Sequence, residues 1–224
     1  TGTSPAERAS AAARYDAWYH TPRGVWIGER EYALLSDALR ARGGESVLDV
    51  GCGTGHFTRL FAARARVHVA GIDPDLDWLR FGQAHARVDE AYVAGRSERL
   101  PFPDRAFDCA IAVTSLCFVR DQEAALREIV RVTRRRLALG LLNRRSLLYL
   151  QKGRGGGVGA YRGASWHTPA EARALLDRMP VQRLALRSAI FLPGGGALAR
   201  AIESCLPARA LLGAFLLVAA DIAA

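Results

Sequence analysis

The sequence predicts an α/β protein built on a mostly parallel, doubly wound sheet with helices on both faces. From residue 46 onward, short apolar segments alternate with segments of helical periodicity. Most of the apolar segments are continuous rather than alternating, which is typical of parallel strands buried on both faces. No repeat and no linker divides the 224 residues into two cores, so we expect a single domain.

The first 44 residues predict helices. Residues 6–18 are rich in Ala, and residues 29–41 carry apolar side chains at helical spacing. Between them, residues 19–26 (YHTPRGVW) are predicted to be a loop, because Pro22 and Gly24 both interrupt regular structure.

Five apolar segments then predict successive strands. They cover residues 46–50, 67–72, 91–94, 107–113 and 137–143. Pro74 is expected to open the helix after the second strand, and Asp121 is a candidate N-cap for the helix after the fourth.

The last 80 residues are less regular. The Gly-rich segment 153–159 is predicted to be a flexible loop. Thr168 and Glu171 have the spacing of a capping box that starts a helix. Two further strands are expected, over residues 181–192 and 209–220, with a helix over 196–204 between them.

The composition excludes a disordered chain, a collagen and a disulfide-rich miniprotein. The chain carries 31 basic and 22 acidic residues, a net charge of +9 that favours anionic partners. The bases are scattered, which is more typical of a solvated surface than of a nucleic-acid interface. The apolar segment 210–220 is too short to span a membrane. The chain begins without a leader pattern, and its four cysteines lack regular spacing. We therefore expect a cytoplasmic protein with neither a membrane span nor a nucleic-acid partner.

The segment VLDVGCGTGHF (47–57) is the most informative for function. A strand ends near Asp49, and Gly51, Gly53 and Gly55 precede a helix. These glycines allow a sharp turn and close backbone approach to a ligand, beside the positive end of the helix. The spacing G-x-G-x-G differs from the G-x-G-x-x-G of dinucleotide-binding proteins. A carboxylate two residues before the first glycine suits a ligand with a positive centre.

This segment resembles the first motif of the class I S-adenosylmethionine-dependent methyltransferases, in the branch that includes the ubiquinone and menaquinone biosynthesis enzymes. Residues 71–75 (GIDPD), 99–108 (RLPFPDRAFD) and 125–134 (ALREIVRVTR) resemble further motifs of the family in the same order. The resemblance implies a Rossmann-like sheet of seven strands in the order 3-2-1-4-5-7-6, with the last strand antiparallel. It also implies an N-terminal helical lid over residues 1–44, a cofactor-binding core over 45–143 and substrate-side elements over 144–224.

The resemblance further implies which residues bind the cofactor S-adenosylmethionine. Asp73 would bind the ribose hydroxyls, and Tyr15 and Tyr19 would belong to the lid. The full set is Tyr15, Tyr19, Asp49, Gly51, Cys52, Gly53, Gly55, Asp73, Pro74, Ser97, Glu98 and Thr114. Arg96 departs from the family, which has an acid there, and the Pro-Gly-Gly turn before the fifth strand is replaced by residues 133–136.

The function implied is methyl transfer to an O, N, S or C nucleophile of a small molecule, with S-adenosylhomocysteine as product. Such enzymes often lack a dedicated catalytic residue, and His20 and His167 are the weak candidates for a base. No metal-ligand spacing is present, and the state expected is a monomer or a homodimer. The alternatives are a cofactor-binding subunit without catalysis and, less favoured, an NAD-dependent oxidoreductase.

Overall fold

The computed structural model describes residues 4–87 and 89–223, and its strands form one sheet. Residues 1–3, where the predicted lid would begin, together with 88 and 224, lie outside the described residues. The strands are β1 (Ser46–Val50), β2 (His68–Asp73), β3 (Glu90–Ala94), β4 (Phe107–Val113), β5 (Thr133–Leu142), β6 (Val181–Ala189) and β7 (Phe215–Ile222).

The described strands follow the order β3-β2-β1-β4-β5-β7-β6. Strands β1 to β5 pair in parallel, whereas β7 runs antiparallel to both β5 and β6. Most residues of β5 and β7 are buried, because protein covers both faces of the central sheet. The predicted topology, including the antiparallel last strand, is confirmed.

Two groups of helices cover the sheet. Helix α2 packs with α3, and α5 packs with α6, while α1 lies against α4. The helices are α1 (Pro5–Trp18), α2 (Pro22–Leu39), α3 (His56–Ala65), α4 (Leu76–Ala84), α5 (Gln122–Val132), α6 (Pro169–Asp177) and α7 (Ala197–Cys205). Within the described part of the chain, no helix is both long and apolar enough to cross a membrane.

Two sequence predictions about helix starts are wrong. The expected loop 19–26 is largely the first turn of α2, because Thr21 caps the helix by accepting a hydrogen bond from the Gly24 amide. Pro22 sits at the first helical position, where a missing amide hydrogen costs nothing. Pro74 does not open α4; the helix begins two residues later with Asp75 as its N-cap.

The connections around β5 differ in regularity. Helix α5 begins at the predicted cap Asp121 and passes directly into β5 at Thr133, whose hydroxyl donates to the Ile129 carbonyl. This contact closes the helix where the family has a Pro-Gly-Gly turn. Residues 149–161 form short helical turns, and the predicted capping box of Thr168 and Glu171 starts α6.

Candidate functional site

A cavity of about 1000 Å³ opens at the carboxyl ends of β1, β2 and β4. The strand order changes direction between β1 and β4, and ligands of open α/β sheets bind at that point. Helices α1 and α2 form its outer wall, and residues from β7 and from the segment after β6 close the far end. The cavity therefore has one side formed by the core sheet and another formed by elements outside it.

The glycine-rich turn forms part of the cavity floor. The amides of Gly51 and Cys52 both donate to the Ile72 carbonyl, which fixes the turn against the end of β2. Gly51 has a φ of 73°, and a Cβ there would lie 2.3 Å from the Ser115 Cβ. Gly53 has a φ of 57° and faces the Trp78 ring. Side chains at these two positions would be strained and would clash with Ser115 and Trp78.

Two carboxyl groups lie beside this turn. Burial raises the pKa of Asp49 from its ordinary value of 3.8 to about 7. A hydrogen bond donated by the Thr58 hydroxyl (2.7 Å) lowers this pKa but does not offset the effect of burial. Burial also raises the pKa of Asp73, whose oxygens accept from the amides of Gly53 and Asp75, both at 2.9 Å. Because Asp75 is the helix cap, Asp73 remains oriented toward the turn and the cavity. A cationic ligand would relieve the cost of ionising either group.

The loop after β3 forms a polar corner of the cavity. Arg96 pairs with Glu98 at 3.1 Å, and the Ser97 hydroxyl donates to the same carboxylate at 3.1 Å. All three residues line the cavity. The unexpected Arg96 is therefore neutralised by its neighbour.

An ion pair fixes helix α1 to the glycine-rich turn. Asp16 is almost fully buried, and its Oδ1 accepts from Arg59 (2.6 Å) and from the Thr54 hydroxyl (3.0 Å). This contact places the rings of Tyr15 and Tyr19 in the cavity wall. Because the partners lie far apart in the chain, their pairing depends on the tertiary fold.

Aromatic rings surround the entrance that α1 covers. Tyr15 packs on Trp78 with ring centroids 4.6 Å apart, and Tyr19 stacks on His56 at 3.6 Å. Burial, helped by the nearby Arg59 guanidinium, lowers the pKa of His56 to about 4. His56 is therefore a neutral ring and a weak base at pH 7.

The far side of the cavity is mainly apolar but contains one carboxyl group. Ile27, Ile190 and Phe215 line it together with the Tyr161 ring. Glu31 also lines it, and burial raises its pKa from 4.5 to about 8. Within the described residues Glu31 forms no hydrogen bond and no ion pair.

Comparison with known proteins identifies the core. A family model described as a methyltransferase domain matches residues 48–137. An uncharacterized protein of Mycobacterium tuberculosis is 35% identical over 193 residues, covering 82% of this chain and 63% of that protein. The ubiquinone/menaquinone biosynthesis C-methyltransferase of Hahella chejuensis is 37% identical over 136 residues, covering 56% of this chain and 53% of the enzyme.

The solved structure of a Thermotoga maritima protein, described as an S-adenosylmethionine-dependent methyltransferase and possible histamine N-methyltransferase, has the same fold. It aligns with a TM-score of 0.73 at 20% identity, over 95% of this chain and 97% of that one. The chain therefore contains a segment, residues 48–137, that matches a methyltransferase domain. It spans 63% and 53% of the two curated relatives named above.

Most residues that the sequence assigned to cofactor binding lie together in the methyltransferase domain. Eleven of them line the cavity, whereas Gly55 lies behind it as the N-cap of α3. Burial raises the pKa of the Cys52 thiol, which suits a backbone role for this residue. The residues lining the cavity are Tyr15, Tyr19, Asp49, Gly51, Cys52, Gly53, Asp73, Pro74, Ser97, Glu98 and Thr114.

The two histidines proposed as weak candidates for a base do not line the cavity of the methyltransferase domain. His20 is exposed and lies 3.5 Å from Asp16, and His167 contacts Gln122 at 2.9 Å. Sequence reasoning missed Asp16, His56 and Glu31. For Glu31 a signal existed, because it follows Arg23 and Ile27 at intervals of four and all three line the cavity.

Proposed function

We propose that this methyltransferase domain transfers a methyl group from S-adenosylmethionine to a small-molecule nucleophile and forms S-adenosylhomocysteine. The observation that carries the proposal is a single cavity with two unlike sides. The glycine-rich turn, Asp73 and the polar corner at Glu98 form one side, and an apolar compartment containing Glu31 forms the other. The first suits a polar cofactor and the second suits a separate acceptor.

The residues present fit such a cofactor. Gly51 and Gly53 have positive φ values, and Ser115 and the Trp78 ring leave no room for a Cβ there, so the turn stays compact and its backbone lines the cavity. Asp49 is buried with a raised pKa, so a positively charged ligand gains a strong interaction by ionising it. Asp73 has both oxygens oriented by backbone amides and retains lone pairs that can accept from vicinal hydroxyl groups.

When bound, S-adenosylmethionine supplies a methyl group on a sulfonium: the acceptor lone pair bonds to carbon as the carbon–sulfur pair passes to sulfur. The chain's own residues then have to align the acceptor and exclude water. Tyr15, Tyr19 and Trp78 cover the cavity mouth, and Asp16 fixes the helix that carries the first two. We assign residues 1–44 the role of a lid on this basis.

The cavity volume and the free cysteines support a small-molecule substrate and a cytoplasmic location. A small molecule fits a cavity of about 1000 Å³, whereas nucleic acid would need a basic surface leading into the site. The four free cysteines support a cytoplasmic location. We keep a monomer or a homodimer as the expected state.

Ligand binding and turnover test this function separately. At 100 times its dissociation constant, S-adenosylhomocysteine stabilises the folded state by about 2.7 kcal/mol, which raises the Tm by roughly 5–10 °C. NAD should give no shift. Release of S-adenosylhomocysteine in the presence of acceptors then distinguishes an enzyme from a cofactor-binding subunit. A shift with NAD alone would contradict the proposal.

A further inference from the structure

One side of helix α2 presents an isolated carboxyl group to the acceptor compartment. Arg23, Ile27 and Glu31 recur at intervals of four and all line the cavity. Arg23 is exposed at the rim, whereas Glu31 lies two turns deeper and is half-buried. Glu29, only two residues away, faces outward and pairs with Arg64 at 2.7 Å. Of the two acids in this turn of α2, the fold therefore places only Glu31 in the cavity wall.

Within residues 4–87 and 89–223, no cation forms an ion pair with Glu31. Among the other cavity-lining bases, Arg96 is paired with Glu98, and Arg120 and Lys152 are exposed. Glu31 forms neither an ion pair nor a hydrogen bond within the described part of the chain. A buried carboxyl group without a partner is costly in its ionised form, so it calls for a ligand that supplies the missing charge.

Three tyrosines lie near enough to this carboxyl group to feel its charge. Burial raises the pKa of Tyr15, Tyr19 and Tyr161, and the nearby charge of Glu31 raises it further in each case. Aromatic faces attract cations, and a carboxylate beside them adds an ion pair. Ile190 and Phe215 line the same compartment and suit an apolar body.

We propose that the acceptor is an amine with an apolar or aromatic body, and that Glu31 binds its ammonium group and removes its proton. This inference rests on the proposed function, because it names the acceptor of the same site. The carboxylate takes one N–H proton to become a carboxylic acid, and the N–H bonding pair remains on nitrogen as a lone pair. That lone pair forms the new carbon–nitrogen bond, and the proton on Glu31 then passes to solvent.

The titration behaviour of the neighbouring groups agrees with this role. Once a bound ammonium group has ionised it, the Glu31 carboxylate is a stronger base than the His56 ring, because burial raises the pKa of Glu31 to about 8 and lowers that of His56 to about 4. Tyr15, Tyr19 and Tyr161 stay neutral in this range because their pKa values are raised. Arg23 is the cation on the same face of α2, and it lies at the rim.

The test compares the wild type with Glu31→Gln and with Glu29→Gln, a matched change on the outer face of the same helix. Phenethylamine, 3-phenylpropylamine, 2-phenylethanol and 3-phenylpropanoate are titrated by calorimetry into the free protein and into protein saturated with S-adenosylhomocysteine. The wild type should prefer the amines. Glu31→Gln should weaken amine binding by roughly 10- to 150-fold and leave the alcohol unchanged. Glu29→Gln should stay within about twofold of the wild type.

A second readout separates proton acceptance from simple packing. At pH 7 amine binding should release up to one proton in the wild type and in Glu29→Gln, but none from this position in Glu31→Gln. Repeating the titrations in buffers of different ionisation enthalpy measures that release. Equal binding of amines and alcohol by the wild type, or an amine preference that survives in Glu31→Gln, would overturn the inference. Loss of S-adenosylhomocysteine binding by the wild type would instead overturn the proposed function.

Discussion

Replacing Asp73 by Ala tests the cofactor side of the cavity. If the Asp73 carboxylate accepts hydrogen bonds from a ribose, the variant loses an interaction with a charged acceptor, worth about 1.5–3 kcal/mol. Since each 1.4 kcal/mol is about tenfold, the affinity for S-adenosylhomocysteine should fall by roughly 10- to 150-fold.

The structure adds a cost in stability. Asp73 also accepts from the amides of Gly53 and Asp75, and each lost hydrogen bond costs about 1 kcal/mol. The Tm should therefore fall by roughly 4–8 °C, and binding must be measured well below the unfolding transition. Part of the loss in affinity would come from loosening of the turn at Gly53.

Asp75→Ala is the matched control. Asp75 caps α4 by accepting from the amides of Asp77 and Trp78, so its loss costs about 0.5–2 kcal/mol of stability. Asp75 does not line the cavity, and its variant should bind S-adenosylhomocysteine as the wild type does. The reasoning fails if calorimetry gives Asp73→Ala an affinity within twofold of the wild type. It also fails if both variants lose affinity equally.

Three further predictions follow from buried acids. Asp49 has a pKa of about 7 that a cationic ligand would lower, so binding of S-adenosylmethionine, which carries a sulfonium, should release up to one proton near pH 7 and strengthen from pH 5 to 7. Calorimetry in several buffers should find no such release in Asp49→Asn. Asp16→Asn removes the ion-pair partner of Arg59, at a cost of about 3 kcal/mol, and should expose α1 to limited proteolysis; an unchanged cleavage rate would argue against the anchor. Below the unfolded pKa of 4.5, the titration of Glu31 does not lower the free energy of unfolding. Between pH 4.5 and pH 8 it lowers that free energy by up to about 1.4 kcal/mol per pH unit. The Tm of Glu31→Gln should therefore exceed that of the wild type by more at pH 8 than at pH 5. An equal difference in Tm at both pH values would refute the assignment.

The strands and the glycine-rich turn were predictable because local sequence determines them. Continuous apolar segments identified all seven strands, and the boundaries of β1 and β4 agree with the prediction. The start of α2 was not predictable, because Pro and Gly occur both in loops and in first helical turns, as Pro22 and Gly24 do here. The choice depended on the side chain of Thr21, which caps the helix only once the turn exists.

Contacts between distant segments were beyond sequence reasoning. The pair of Asp16 and Arg59 joins a helix outside the sheet to the helix after the glycine-rich turn. Neither residue differs in type from the many exposed acids and arginines of this chain, so composition gave no reason to single them out. Only the packing of α1 over the cavity makes Asp16 a buried anchor.

The cavity and the surface of this protein have opposite electrostatic character. A net charge of +9 favours anionic partners, yet Asp49, Asp73 and Glu31 all line the cavity with raised pKa values. The scattered arginines are mainly exposed, where solvent and salt screen them, whereas the three acids lie where screening is weak. We therefore expect three partly or fully buried carboxyl groups, rather than the 31 bases, to select ligand charge. Increasing salt should weaken nonspecific binding of anions to the surface far more than binding of a cationic ligand inside the cavity.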